Sequence, residues 1–399
     1  MSREDAITSR WDLSRVLQPV SPEAFFAEAY EQRHLAIHRE DREWFSDLLT
    51  ADDIDRAVTE LGLMADNLNL VKSGEGIEKA SYTFENGELD PVRVFQHFSE
   101  GATVVMPHLH RVLPRLADYC RALETELSAD LQTNIYMTPA QSQGFKTHYD
   151  SHDVLVLQIS GSKEWRIYDG GPELPTRDMA FRPEGFEPGP EIDRIVLQPG
   201  DTLYVPRGVV HDARSTGETS LHITTGILPV RWIDLIAEAV SARALVDPEL
   251  RRSLPPGYGG PDADMGRMGA ELARLIRQAA EGVDAKAAIS ERARAYRARR
   301  RPRVRGQLHE IEARHDVAKG RRAEARADLI YRIVPEGDAV RLETGGTEVV
   351  LPAHVREPLE RALTVGPFTI GELPGPLDAE GQVVLVRRLL REGLVRLLP

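Results

Sequence analysis

The chain has 399 residues, of which 41% are hydrophobic and 28% charged, so it is not a largely disordered protein, and its length predicts two or three domains. The formal net charge of −13 argues against general nucleic-acid binding, which needs a basic face, and it suits either solubility alone, which we favour, or a basic partner. The single Cys120 excludes an intrachain disulfide and a cysteine-built zinc site, and we find neither a membrane-spanning apolar run nor a secretory signal in the charged start MSREDAITSRWDLSRVL.

Residues 1–130 alternate between helical and short extended patterns. Ser21 and Thr50 are typical helix N-caps, and they begin predicted helices in SPEAFFAEAYEQ and LTADDIDRAVTEL. Two more helices are predicted in PVRVFQHFSEG and LHRVLPRLADYCRALETEL, and two strands in HLAIHRE and NLNLVKSG.

Residues 131–228 have a different character. Short β-branched or aromatic runs (NIYMT, VLVLQI, EWRIYD, RIVLQ, TLYVP and SLHITTGIL) are separated by Gly and Pro clusters. They leave no room for crossover helices, so they predict an antiparallel sandwich or barrel. VLVLQI is apolar on both faces and should be buried on both sides.

After Pro229 the pattern becomes helical again, in RWIDLIAEAVSARALV and MGRMGAELARLIRQAAEGV. The basic run 292–305 either contacts RNA or an acidic surface or is a solvated linker, and we favour the linker. DLIYRIV and AVRLE have no helical pattern. The last 50 residues then predict a helix, a short strand FTI, a helix around Glu380–Glu392 and a strand GLVRLL, an order that resembles a winged helix.

The most informative segments are GFKTHYDSHDVLVLQISGSKEWRIYD and LQPGDTLYVPRGVVHDA. His148 and Asp150 are two residues apart, so on an extended segment both side chains project from one face. His211, which follows the strand TLYVP and the turn PRG, supplies a third ligand. Two histidines and one carboxylate form the facial triad of non-haem Fe(II) oxygenases, which leaves coordination positions open for a cosubstrate and O₂.

Lys163 begins the strand KEWRIYD, directly after the turn SGS. A lysine that points into an apolar barrel is costly unless it meets an anion, and the distal carboxylate of 2-oxoglutarate is such an anion. The alternative is a solvated lysine at the start of a strand.

These segments resemble the Jumonji C oxygenases and, within them, the ribosomal-oxygenase group. The resemblance rests on NIYMTPAQSQGFKTHYDSHDVLVLQISGSKEWRIYD, LQPGDTLYVPRGVVHDA and SLHITTGI. It implies an α+β chain with a double-stranded β-helix (jelly-roll or cupin) barrel. The implied domains are an oxygenase domain with a helical lead (1–228), a helical dimerisation region (229–310) and a winged helix (311–399).

The resemblance also implies roles for individual residues. Fe(II) would be held by His148, Asp150 and His211, and Lys163 would anchor 2-oxoglutarate. The other residues that would line the cosubstrate pocket are Asn134, Tyr136, Thr138 and Thr224.

Further histidines and a neighbouring carboxylate have no assigned chemistry. His152 and Asp153 follow the triad segment and are possible competing ligands, with His152 at the pocket mouth as the favoured arrangement. His222 is expected to be structural. His108 and His110 form an HxH pair without a nearby carboxylate and are expected to be cap or surface residues.

The implied activity is hydroxylation of an arginine or histidine side chain of a ribosomal protein by a cytoplasmic homodimer, using Fe(II), 2-oxoglutarate and O₂. No membrane or direct DNA contact is expected. The alternatives are a hydroxylase of a small molecule or peptide, a cupin that binds metal without turnover, and a winged-helix regulator whose barrel senses a ligand.

Overall fold

The computed structural model describes residues 11–142, 146–327, 329–364 and 366–399. The charged amino-terminal stretch MSREDAITSRWDLSRVL therefore lies partly outside the described residues. The chain divides into two compact units, Met1–Pro229 and Val230–Pro399. Within the described residues, no helix has the length and apolar character to cross a bilayer.

The first unit combines short helices with an antiparallel β-structure. Its helices are α1 (Leu13–Leu17), α2 (Pro22–Glu28), α3 (Ala51–Glu60), α4 (Pro91–Ser99) and α5 (Pro114–Leu127). Its strands are β1 (Leu35–Ile37), β2 (Asn69–Lys72), β3 (Glu75–Gly76), β4 (Thr103–Pro107), β5 (Asp130–Thr138), β6 (Asp153–Ser160), β7 (Lys163–Tyr168), β8 (Glu191–Leu197), β9 (Thr202–Val205), β10 (Val210–Ser215) and β11 (Ser220–Leu228).

These strands form an eight-stranded sheet, in the order β1-β9-β6-β11-β5-β4-β2-β3, and a three-stranded sheet, β10-β7-β8. Side chains alternate between the two faces of β6. Leu155 and Leu157 join the core formed with the amino-terminal helices. Val154 and Val156 pack with Trp165 and Ile167 of the smaller sheet. The predicted antiparallel two-sheet barrel, with VLVLQI buried on both sides, is therefore confirmed.

Local signals in the sequence account for several of the helix boundaries. The Ser21 hydroxyl accepts from Ala24 N, and Thr50 accepts from Asp53 N, so both predicted caps are confirmed. The single helix predicted from Leu109 is wrong, because Pro114 starts α5 afresh after a short 3₁₀ turn. The pattern also missed β4 and β10.

The second unit has its own core of helices and two three-stranded sheets, β16-β12-β17 and β13-β14-β15. Its helices are α6 (Trp232–Val246), α7 (Met265–Glu281), α8 (Ala285–Ala298), α9 (Gln307–Glu312), α10 (Arg356–Leu363) and α11 (Ala379–Arg391). Its strands are β12 (Arg322–Ala325), β13 (Arg332–Glu336), β14 (Ala339–Thr344), β15 (Thr347–Pro352), β16 (Pro367–Thr369) and β17 (Val395–Leu397).

The basic run is not a solvated linker over its first half, which corrects the favoured interpretation. Residues up to Ala298 belong to α8. Arg292 pairs with Glu238 at 2.8 Å, and the buried Arg297 pairs with the buried Glu343. Guanidinium groups that pair within the unit fix α8 against its neighbours instead of remaining solvated.

Candidate functional site

The predicted metal ligands converge although they come from separate segments. His148 and Asp150 do not belong to β6, as an extended reading of the segment implied; they precede it in irregular backbone. His148 instead forms an isolated bridge with His211 of β10, in which His148 N donates to His211 O (3.0 Å) and His211 N donates to His148 O (2.8 Å). This pairing brings the two imidazole rings to a centroid distance of 4.6 Å.

The three side chains form a compact donor set. One donor atom from each of His148, Asp150 and His211 lies within 4.8 Å of the other two. His148 Nδ1 lies 2.8 Å from Lys146 O, and His211 Nδ1 lies 3.0 Å from Val209 O. A carbonyl only accepts, so both Nδ1 atoms carry the proton, and in each ring Nε2 is the unprotonated nitrogen, which is the form that binds a metal.

The electrostatics also favour the ligating form of the buried histidine. Burial, followed by the neighbouring His148, lowers the pKa of His211 to about 4, against the opposing effect of Asp150. His211 is therefore a neutral imidazole at pH 7, which is the form that binds a divalent ion.

A buried carboxylate ties the two ligand-bearing segments together. Asp212 follows His211 and is only 2% exposed. It accepts hydrogen bonds from the Thr147 hydroxyl (2.7 Å), from Arg166 Nε (2.8 Å) and from the Tyr168 hydroxyl (2.9 Å). Because Thr147 precedes His148, Asp212 links the histidine segments to each other and to β7.

The predicted cosubstrate residues of β5 share one face of the large sheet. Asn134, Tyr136 and Thr138 alternate along β5, opposite Thr224, His222 and Ser220 of β11. Tyr136 hydrogen-bonds with Asn134, while burial and then the Asp150 carboxylate raise the pKa of its phenol. The phenol is therefore protonated and available as a donor at neutral pH.

Lys163 is buried beside this face. Its side chain lies 3.4 Å from Thr138 Oγ1, and its ammonium lies 5.9 Å from the Tyr136 ring centroid. Among the described residues no carboxylate pairs with it, and burial lowers its pKa to about 7. Gly161 positions it: its φ is +61°, and a Cβ there would lie 2.0 Å from Thr219 O.

A chain of ring contacts connects the donor set to this lysine. Trp165 lies 5.8 Å from His211 and 5.9 Å from His222, and the His222 ring is stacked on Tyr136 at 4.9 Å. His222 is 2% exposed, and its Nδ1 has no partner among the described residues. The sequence predicts a structural role for His222, although its alternation with Thr224 along β11 places both side chains on the face shared with Tyr136 and Asn134.

Comparison with known proteins identifies the segment that carries this site. Residues 107–235 match the family model described as JmjC domain. This segment is similar to the JmjC domain family. This match covers every side chain predicted to bind metal or cosubstrate.

Two relatives of this chain carry the name bifunctional lysine-specific demethylase and histidyl-hydroxylase NO66. The one from Dictyostelium discoideum is 33% identical over 264 residues, 62% of this chain and 49% of that protein. The one from Drosophila grimshawi is 30% identical over 256 residues, 61% of this chain and 35% of that protein. The chain thus spans half or less of the length of these relatives.

A solved structure shares the fold over almost the whole chain. It is described as YcfD, a ribosomal oxygenase from Escherichia coli, in complex with cobalt and 2-oxoglutarate. Its TM-score is 0.53 at 16% identity, and the match covers 94% of this chain and 98% of that chain. At this identity the likeness establishes the fold alone.

The remaining candidates in this segment lie outside the donor set. Asp153 accepts from Arg207 Nη1 at 2.8 Å and is fully buried, so it does not compete for a metal. The His152 ring lies over Gly226, where a Cβ would come within 2.7 Å of it. His110 Nδ1 lies 2.9 Å from Thr133 Oγ1, and His108 occupies the N-cap position of the 3₁₀ turn without a side-chain capping hydrogen bond.

Proposed function

We propose that this protein is an Fe(II)- and 2-oxoglutarate-dependent oxygenase that hydroxylates a protein side chain. One observation carries the proposal. A two-histidine, one-carboxylate donor set and a buried lysine without a carboxylate partner belong to the same small barrel, linked by the ring contacts of Trp165, His222 and Tyr136.

The donor set fits Fe(II) in its chemistry. Imidazole nitrogens and one carboxylate are the ligands of the facial triad, and both Nδ1 protons are already fixed by backbone carbonyls. His148, Asp150 and His211 would hold the ion. Bound Fe(II) supplies the redox chemistry that reduces O₂ as 2-oxoglutarate is converted to succinate and CO₂, with the second oxygen atom passing to the substrate.

Lys163 supplies the charge that the cosubstrate needs. We assign its ammonium to the distal carboxylate of 2-oxoglutarate, with the Tyr136 and Thr138 hydroxyls as further donors and Asn134 and Thr224 on the same face. A buried ammonium without a counter-ion is costly, and a dianionic ligand removes that cost. A cupin that only binds metal has no need of this lysine, which disfavours the non-catalytic alternative.

For the substrate, we propose an arginine or histidine side chain of a ribosomal protein. The relatives named histidyl-hydroxylase and the solved ribosomal oxygenase support a protein substrate of this kind, and the net charge of −13 is compatible with a basic partner. The alternative, a small molecule or peptide substrate, predicts turnover that ignores ribosomal proteins. We place the protein in the cytoplasm on the same reasoning.

For the remainder of the chain, we propose a homodimer formed through the helices after Pro229. In α6, Trp232 and Leu245 are each 76% exposed, and Ile233 is 57% exposed. Large apolar side chains on one helix favour a second copy packed about a two-fold axis. We retain the domain limits 229–310 and 311–399, with the last domain as a winged-helix-type packing module that does not bind DNA.

The test measures succinate formed from 2-oxoglutarate with Fe(II), with and without a ribosomal protein mixture, followed by mass spectrometry for a +16 Da peptide. Turnover that rises with the mixture, together with one mapped hydroxylation, supports the proposal. Turnover that ignores every ribosomal protein supports the small-molecule alternative. No succinate under any condition rejects the oxygenase.

A further inference from the structure

Three aromatic rings form a cluster beside the candidate metal ligands. Tyr149 lies 5.4 Å from Phe181 and 6.0 Å from Phe186, and the two phenylalanine rings are 5.0 Å apart. All three side chains are partly exposed. We call Tyr149, Phe181 and Phe186 the aromatic wall.

The aromatic wall is fixed to the triad segment. Tyr149 stands between His148 and Asp150 in the chain, and its hydroxyl donates to Met179 O at 3.1 Å. The Phe181 ring lies 6.1 Å from the His148 ring. A side chain lying on Phe181 therefore rests next to the ligands, where an oxidised carbon must lie.

The shape of the wall limits what it binds. The two contacts of Phe181, with Tyr149 and with Phe186, have interplanar angles of 85° and 81°, which is edge-to-face packing. In such packing an edge of one ring meets the face of its neighbour, and the partly exposed rings leave aromatic surface beside the His148 ring for a planar cation. A guanidinium is flat, weakly hydrated and stacks on aromatic faces, whereas an ammonium is compact and strongly hydrated.

The charged residues around the aromatic wall also favour a guanidinium. The loop between β7 and β8, which contains Phe181 and Phe186, has five exposed carboxylates (Asp169, Glu173, Asp178, Glu184 and Glu187) against two exposed arginines, Arg177 and Arg182. Within the described residues none of these carboxylates forms an ion pair. These negative charges stabilise a bound guanidinium, which is always charged. An imidazole, with an ordinary pKa near 6.5, is mostly neutral at pH 7, so the same charges add little to its binding.

We propose that the aromatic wall is the specificity-determining surface of this enzyme and that it selects an arginine side chain from a basic segment of the partner protein. The proposal deepens the proposed function and rests on it for the chemistry. It narrows the choice between arginine and histidine through the three rings and the acidic loop.

The experiment uses the full chain loaded with Mn(II) and 2-oxoglutarate, a state that binds substrate without turnover. Four peptide libraries with randomised flanks carry a fixed central arginine, citrulline, lysine or histidine, and retained peptides are counted by mass spectrometry. Citrulline matches arginine in shape but has no charge. We expect retention of the arginine library about tenfold above the citrulline library, the range of a partly desolvated cation–π contact.

Variants then assign that preference to the wall. Phe181→Leu keeps apolar bulk without a π face and should bring the arginine-to-citrulline ratio close to one, whereas Phe181→Tyr should preserve it. Phe186→Leu is the second test if Phe181→Leu fails to fold, as judged by thermal unfolding and Mn(II) binding. The matched control is Phe84→Leu, an aromatic side chain 51% exposed outside the wall, which should keep the parent ratio.

Equal retention of arginine and citrulline libraries, strongest retention of the histidine or lysine library, or an unchanged ratio in folded Phe181→Leu and Phe186→Leu would each overturn the proposal. Succinate formation with Fe(II) is measured in parallel on the parent chain. A preference for arginine without succinate retains the wall and rejects the oxygenase. Succinate without that preference retains the oxygenase and rejects the wall.

Discussion

Replacing Lys163 by methionine should stabilise the ligand-free protein and at the same time abolish 2-oxoglutarate binding. The side chain is 4% exposed, and burial lowers its pKa from 10.5 to about 7. Between these two values the unfolded chain binds a proton that the folded chain does not, so the stability of the ligand-free fold rises with pH across this window. Below pH 7 the ligand-free fold carries the full free-energy cost of burying the Lys163 ammonium.

The size of the pKa shift sets the free energy that the buried lysine costs the fold. At about 1.4 kcal/mol per pKa unit, the buried lysine costs the ligand-free fold about 4 kcal/mol at pH 7 and about 2 kcal/mol at pH 9. Methionine has similar length and no charge, so Lys163→Met should raise the melting temperature by roughly 8 °C at pH 7 and by roughly half as much at pH 9.

Thermal unfolding at both pH values, with Mn(II) and with or without 2-oxoglutarate, measures both effects. Saturating 2-oxoglutarate should stabilise the parent protein and leave Lys163→Met unchanged. The parent should also take up close to one proton on binding at pH 8 to 9, visible as a buffer-dependent enthalpy, because the carboxylate restores the ammonium. Lys72→Met, an exposed lysine on β2, is the control for a lost charge.

Two results would refute this reasoning. Destabilisation of ligand-free Lys163→Met at pH 7 would mean that the lysine already has a stabilising partner. Stabilisation of that variant by 2-oxoglutarate to the same extent as the parent would mean that the anchor lies elsewhere.

Three further outcomes are expected. Asp150→Ala removes the only carboxylate of the donor set and should abolish micromolar Mn(II) binding, seen by electron paramagnetic resonance, with unchanged unfolding of the metal-free protein; retained binding would exclude Asp150 as a ligand. Asp212→Asn removes the charge that fixes both histidine segments and should weaken Mn(II) binding about 10- to 100-fold, whereas the exposed Asp169→Asn should leave it unaltered; equal affinities in both would make Asp212 irrelevant to the site. Trp232→Glu places a charge among the exposed apolar side chains of α6 and should convert a dimer to a monomer in light scattering, and a parent protein that is already monomeric at micromolar concentration would remove the dimer proposal.

The barrel was predictable because its signals are local. Strand runs such as VLVLQI and TLYVP are short, are bounded by Gly and Pro, and carry their burial pattern in their own letters. The caps at Ser21 and Thr50 are equally local. Elements that depend on partners were missed: β10 is mostly polar in its letters, VHDARS, and becomes a strand through its ladder with β7.

The candidate site also combines features that a local pattern predicts with features that depend on the tertiary structure. The types and spacing of His148 and Asp150 stand in the sequence and already name the donor set. Neither the position of Asp212 as acceptor for three donors nor the meeting of Tyr149 with Phe181 and Phe186 has a local pattern. Each depends on segments that are distant in the chain and adjacent in the fold.

The sequence by itself determined which chemical groups this protein possesses and the period with which they alternate, since donor type and strand geometry depend only on the residues present. Tertiary structure alone decided which groups share a site and how their protons are held. The backbone bridge between His148 and His211 sets the distance between their rings. Burial, which no single segment encodes, lowers the pKa of an ordinary lysine, so that its ammonium form needs an anion to be stable.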